Sequence, residues 1–357
     1  MRLFLIFLLF PLSLVTACGP APVEVEEMSV TDTPAEEVQA GEMTEFGESL
    51  IRPGSTPPDL LMGPDPAQME DAPPLGYGPV PHGLQIPVDL ELGAPSSVAW
   101  TGEDRLLLFN RGPNPLALFE ADGTFVRSWG QGQYVRPHGM RLDPDGNIWA
   151  TDVSGHTVRK MSPEGDVLMT LGVHEEVGEW EVGASEGLLM EPTDLAFGHN
   201  GEIYLIIGHG SGPPVILKFD SAGTLLAKWG SRGTGPGEFD TPHSVVVDAE
   251  GLVHIADRQN RRVQIFDADG NYLSERQYKG LPCGLYIHDD QQMYMVSGFS
   301  GEILKLDEDG KAIGATGQPG PGLGEFGEAH YMTIASNGDI YVADTVKPGL
   351  HKYAKQM

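Results

Sequence analysis

The chain has 357 residues and a formal charge of −29, from 22 basic and 51 acidic side chains. So acidic a composition excludes a nucleic-acid binder, which needs a basic footprint, and it opposes electrostatic docking on anionic lipid. The cysteines are Cys18 and Cys283 alone, too few for a disulfide framework.

Residues 1–17 carry Arg2 and then an apolar run, Leu3 to Val15, too short to span a bilayer. The run ends in Val15-Thr16-Ala17-Cys18, which resembles the bacterial lipobox. The resemblance implies cleavage before Cys18 and lipid attachment there, leaving Cys283 without an intramolecular partner. Several acyl chains give stable membrane anchoring. Gly19, where aspartate would signal inner-membrane retention, directs the expectation to the outer membrane or surface of a bacterial cell envelope. An ordinary secretory signal is the other reading. Residues 18–79 read as a tether. Between 19 and 75 there are many prolines, 13 acidic residues and one basic residue, Arg52. Such a segment cannot bury enough surface to offset its chain entropy, and it repels itself.

From residue 80 to 357 one unit recurs. Its openings are Pro95-Ser96-Ser97-Val98, Pro137-His138-Gly139-Met140, Pro192-Thr193-Asp194-Leu195, Pro242-His243-Ser244-Val245, Pro282-Cys283-Gly284-Leu285 and Ala329-His330-Tyr331-Met332. Each is followed by short apolar runs separated by Gly turns, as in Ala121-Asp122-Gly123 and Ala268-Asp269-Gly270, where Asp-Gly supplies the positive φ of tight hairpins. Short strands repeating every forty-odd residues define an all-β, six-bladed β-propeller. The last unit stops after a third strand, Leu350-His351-Lys352-Tyr353. The expected fourth strand is Ile86-Pro87-Val88-Asp89-Leu90-Glu91-Leu92, pairing with blade six to close the ring and remove an open edge.

The second position of the opening reads Ser96, His138, Thr193, His243, Cys283, His330. Histidine therefore falls on alternate blades, which a three-fold axis along the channel relates. With 11 histidines in 357 residues, this alternation is far from chance. If the slot faces the channel, the three imidazoles meet, and three neutral imidazoles with an open position suit zinc or another divalent metal. A slot that merely prefers polar residues is the alternative. Asp152, Asp257 and Asp344 alternate in the same way after the second run. They are read either as orienting the histidines from behind or as capping turns. Arg111 and Arg258 occupy equivalent loops at the expected channel mouth, where forked guanidiniums match a carboxylate. Cys283 is read as a small buried apolar residue, in a slot from which a thiol would approach an ion from the side.

The segments Gly233-Thr234-Gly235-Pro236-Gly237-Glu238-Phe239 and Gly320-Pro321-Gly322-Leu323-Gly324-Glu325-Phe326, with the Pro-His-Gly opening and the Trp-Gly endings at Trp129 and Trp229, resemble the NHL repeat. More narrowly, Arg111-Gly112, Pro137-His138-Gly139, Trp149-Ala150-Thr151-Asp152-Val153, Pro192-Thr193-Asp194, Pro242-His243-Ser244, Ala256-Asp257-Arg258-Gln259-Asn260 and His330 resemble the peptidyl-α-hydroxyglycine α-amidating lyases. That resemblance implies zinc on His138, His243 and His330. It implies Arg111 and Arg258 at the substrate carboxylate or hydroxyl region, and cleavage of a carbinolamide C–N bond to an amide and glyoxylate. The expected partner is a small-molecule or peptide substrate with a carboxylate. Three positions depart from the pattern. His209 stands where the family has its catalytic tyrosine, and is the candidate general base here. Tyr331 replaces the aspartate after the third histidine, so the family's structural calcium loses a ligand. Glu328 replaces a methionine. The alternative reading is a non-catalytic NHL propeller that serves as a surface binding or scaffold module.

Overall fold

The computed structural model describes residues 71–356, apart from 82 and 211. The lipobox, Cys18 and most of the proposed tether lie outside the described residues. Within them every regular element is a strand, and the strands form six four-stranded antiparallel sheets. Blade one comprises Pro95–Trp100, Arg105–Asn110, Leu116–Glu120 and Phe125–Trp129. Blades two to five open at Pro137–Leu142, Pro192–Phe197, Pro242–Val247 and Pro282–Ile287 and repeat the same four-strand order. Blade six holds Ala329–Ile334, Ile340–Asp344 and Gly349–Lys355. The opening strands pack against one another around the ring and so line the channel. The chain is a six-bladed β-propeller, as the repeat spacing requires.

The core lies between blades rather than within them. Phe109, Leu116 and Leu118 of blade one pack on Met140, Ile148 and Ala150 of blade two. Tyr341 and Ala343 of blade six pack on Val98, Leu108 and Phe119 of blade one. Each twisted sheet is apolar on both faces, and stacking it between two neighbours removes both faces from water.

The ring is closed by a different segment from the one expected. Tyr77–Val80, not residues 86–92, is the outer strand of blade six, with Tyr77 opposite Lys355 and Val80 opposite Lys352. Just before it, Leu75 N donates to Ala315 O and Ala315 N to Pro73 O, tying the segment to blade five as well. Residues 86–92 form no strand. Ile86 and Val88 are exposed, and Pro87 has no N–H to give to a ladder. Pro79 is tolerated because it sits on an outermost strand. The propeller therefore begins in the low seventies, and the expected boundary at 80 is several residues late.

The Gly-rich segments have a structural reason. Ser231–Arg232 pairs with Glu238–Phe239, and Gln318–Pro319 with Glu325–Phe326, each as a small parallel arch. Phe239 and Phe326 are driven into the core. The carboxylates of Glu238 and Glu325 accept N–H bonds from Gly235 (2.9 Å) and Gly322 (2.6 Å), stitching each arch across its turn.

Candidate metal centre and channel mouth

Every opening strand breaks register right after its first residue: Pro95/Ser97, Pro137/Met140, Pro192/Leu195, Pro242/Ser244, Pro282/Gly284 and Ala329/Tyr331. The second position is expelled from the ladder in each case, together with Gly139 in blade two and Asp194 in blade three. A bulge re-aims one side chain without disturbing the strand beyond it. Ser96, His138, Thr193, His243, Cys283 and His330 are all buried at the channel. The Gly of Pro-His-Gly is needed here, because a Cβ on Gly139 would lie 2.6 Å from Thr193 O in the next blade.

The three imidazoles converge with near-equal spacing. Ring centroids are 4.7 Å apart for His138–His243, 4.7 Å for His138–His330 and 4.9 Å for His243–His330. Each ring is oriented by the following blade. Nδ1 lies 2.9 Å from Thr193 O for His138, 2.8 Å from Cys283 O for His243 and 2.6 Å from Ser96 O for His330. A carbonyl only accepts, so Nδ1 carries the proton and Nε2 keeps its lone pair. The non-histidine slots thus supply the carbonyls that hold the histidine slots. Nε2 of His138 is buried with no hydrogen-bond partner. Such an atom is costly unless a ligand takes it, and neutral imidazoles with free lone pairs fit a divalent metal of the zinc type.

The alternating aspartates do other work, and the turn-capping reading is the one observed. Asp152 accepts from Val135 N (2.8 Å), Arg136 N (2.7 Å) and Gly155 N (2.9 Å). Asp344 accepts from Gly327 N (2.7 Å) and Glu328 N (3.0 Å). Asp257 accepts from Asp240 N at 2.8 Å and from the buried Arg262 at 2.8 Å. Each holds the turn that delivers a histidine strand to the channel, one step removed from the ring itself.

Two residues join the histidines. The ring of His209 lies 4.5 Å from that of His138 and 5.5 Å from that of His243. Potential ligand atoms within 4.8 Å of one another form two sets that share His243: His138 with His209 and His243, and His243 with Cys283 and His330. The His209 loop leaves blade three and is anchored from below. Gly208 N donates to Glu191 O (3.3 Å), Gly212 N to Glu191 Oε2 (3.4 Å), and Arg232 Nη2 to Gly212 O (2.6 Å). Beside this loop Pro213 and Pro214 help line an apolar cavity of about 260 Å³, with Trp180, Met190, Ile207 and Trp229.

The guanidiniums are less symmetric than their loop positions suggest. Arg258 is buried, pairs with Glu328 Oε1, and leaves its Nε unpartnered. Thr345 donates to the other Glu328 oxygen. Arg258 thus already has a carboxylate partner within the protein. Arg111 is partly exposed, with Nε donating to Pro137 O at 3.2 Å. Burial and the neighbouring Arg136 push its pKa down to about 10. Arg136, one residue before the Pro-His-Gly opening, also acts electrostatically on His209. Sequence reasoning missed it because no equivalent blade carries a basic residue there. Burial, first, and the surrounding positive charge hold the pKa of His138, His209 and His243 well below the usual imidazole value, and that of His330 at about 3.

One step further along the opening strands the channel is plugged. Arg141 binds Asp194 with two bonds, 2.5 Å and 3.0 Å, and also reaches Ser244 Oγ (3.0 Å) and Leu285 O (3.1 Å). Ser244 Oγ donates to Asp194 Oδ2 (2.8 Å), and Tyr331 OH donates to His243 O (2.7 Å). The Arg141 guanidinium lies over the Tyr331 ring at 5.3 Å. Tyr331, which interrupts the family pattern, is therefore part of a floor beneath the imidazoles.

Fold and site together define a six-bladed β-propeller with imidazoles gathered at its channel. The NHL repeat family model matches residues 134–161, and a family described as a 6-bladed beta-propeller matches residues 204–302. Among curated proteins, NHL repeat-containing protein 3 of Mus musculus is 36% identical over 173 residues, spanning 46% of this chain and 49% of that protein. The probable peptidyl-alpha-hydroxyglycine alpha-amidating lyase pgal-1 of Caenorhabditis elegans is 34% identical over 176 residues, spanning 48% and 47%. The chain thus has homology to the amidating lyases and to NHL proteins, and it spans about half the length of these relatives. A streptogramin B lyase structure superposes with a TM-score of 0.55 at 14% identity, covering 75% of this chain and 95% of that one, which shows the shared fold.

Proposed function

We propose that this protein is a metal-dependent carbon–nitrogen lyase of the amidating-lyase kind. It would act on a carbinolamide that bears a carboxylate, yielding an amide and glyoxylate. The single observation that carries the reading is the gathering of three imidazoles, each with its Nδ1 held by a neighbouring carbonyl so that Nε2 keeps its lone pair. His138, His243 and His330 would hold the ion. A bound divalent cation supplies Lewis acidity toward a substrate hydroxyl. Arg111, with Arg136 beside it, would receive the carboxylate, because Arg258 already has Glu328. His209, against the His138 ring, is the proton acceptor. It takes the hydroxyl proton as the carbon–oxygen double bond forms. The C–N electron pair passes to nitrogen, which takes up a proton and leaves as the amide. Attachment of the protein to a bacterial envelope through Cys18 belongs to the same proposal.

Glyoxylate release from an α-hydroxyglycine peptide, measured with the zinc-loaded protein and with its His243→Ala variant, tests this directly. Release by the first and not by the second is expected. Tightly bound metal without any release would overturn the substrate assignment. The pairing of Arg258 with Glu328 favours one other reading, a non-catalytic binding module, since it withdraws one of the two arginines from the mouth.

A further inference from the structure

The mechanism above has no use for Cys283, yet this thiol stands inside the metal centre. Cys283 is the second-position residue of blade five, expelled by the same bulge that turns the histidines inward. It is fully buried, and its Sγ lies 3.6 Å from Nδ1 and 3.9 Å from Nε2 of His243. With His243 and His330 it forms a set whose ligand atoms are all within 4.8 Å of one another. An ion bound at about 2.0–2.1 Å by an imidazole nitrogen and about 2.3 Å by a thiolate places those two atoms roughly 3.5 Å apart in a tetrahedral site. The observed Sγ–Nε2 separation is within a few tenths of an ångström of that. Independently, Nε2 of His138, in the adjoining set that shares His243, is buried and unpartnered. Without an ion, burial holds the Cys283 thiol well above its ordinary pKa and the Arg258 guanidinium opposes this only in part, so geometry carries the inference and the thiolate forms only with the cation.

The geometry points to Cys283 as a metal ligand, giving the centre a two-imidazole, one-thiolate face made by His243, Cys283 and His330. This inference rests on the metal reading of the site and extends it. A thiolate donor selects thiophilic cations such as zinc, cobalt or cadmium over magnesium, calcium or manganese. Binding converts the thiol to a metal-bound thiolate and releases one proton to solvent, while the imidazoles, already neutral, release none. Should His138 bind the same ion, the coordination sphere closes at four protein donors. Substrate entry would then require one donor to leave. The centre would exchange between a closed, storage-like sphere and an open, reactive one.

Cobalt(II) titration of the full chain under a non-thiol reductant separates the outcomes. Stoichiometric binding with an intense near-ultraviolet thiolate-to-cobalt charge-transfer band is expected, and the band should vanish in Cys283→Ser. Cadmium affinity in that variant should fall by at least the roughly 100-fold that losing a residue one shell out can cost. The wild-type spectrum alone carries the test should the variant fold poorly. Cobalt bound with only weak visible bands would overturn the thiolate and leave the histidine centre standing. No cobalt bound to the folded protein, by direct metal analysis, would overturn the metal reading itself and this inference with it.

Discussion

The mouth and the floor of the channel are built from the same strands, a few residues apart, and they treat polar groups in opposite ways. At the floor, Arg141, Asp194, Ser244 and Tyr331 satisfy one another, and the ion pair has two bonds plus a hydroxyl and a carbonyl partner. At the mouth, Nε2 of His138 is buried and unpartnered. A buried polar group without a partner costs about 1–3 kcal/mol. A ligand bound at the mouth would return that energy, whereas the floor is already satisfied without one.

That contrast can be broken experimentally. The largest effect should come from neither end but from the closure both depend on. Deleting residues 73–80 removes the outer strand of blade six and its tie to blade five, and cooperative thermal melting should be lost. Deleting 86–92 should lower the melting point far less. Next, Asp194→Ala leaves Arg141 buried and uncompensated, which should destabilise by about 3–5 kcal/mol in denaturant titration. His243→Ala at the mouth should instead abolish metal binding, read by elemental analysis, with the circular dichroism spectrum retained.

A pH series sharpens the comparison further. In unfolded chain an imidazole takes a proton near its ordinary 6.5, whereas His330 in the metal-free fold does so only near about 3. Between those values the unfolded state binds more protons. Stability of the metal-free protein is therefore full above pH 6.5 and falls as pH is lowered toward 3. Each such histidine contributes a slope of about 1.4 kcal/mol per pH unit. Melting temperatures from pH 7 to 4 check this, and His330→Gln should flatten the decline. The smallest effect is expected from Glu328→Gln. Freeing Arg258 should raise affinity for glyoxylate several-fold by calorimetry, and no change would show that Arg258 does not face the mouth.

The blades and their histidine slots were legible in the chain, because a propeller repeats one local solution and repetition is visible in one dimension. The alternation of His138, His243 and His330 implied an axis, and their convergence follows from the symmetry of the ring. Closure was not legible. Gly76-Tyr77-Gly78-Pro79-Val80 has no alternating pattern, and its pairing with Gly349–Lys355 is a contact across nearly the whole chain. Nor could spacing show that Glu328, seventy residues on, neutralises Arg258, or that backbone carbonyls, and not the aspartates, orient the imidazoles. By itself, then, the order of residues determined the unit, its number and the slot that turns inward, since bulge, turn and strand are local matters of sterics. Tertiary structure alone decided which segment closes the ring and which charges cancel. Those depend on distances between blades, which no single repeat encodes.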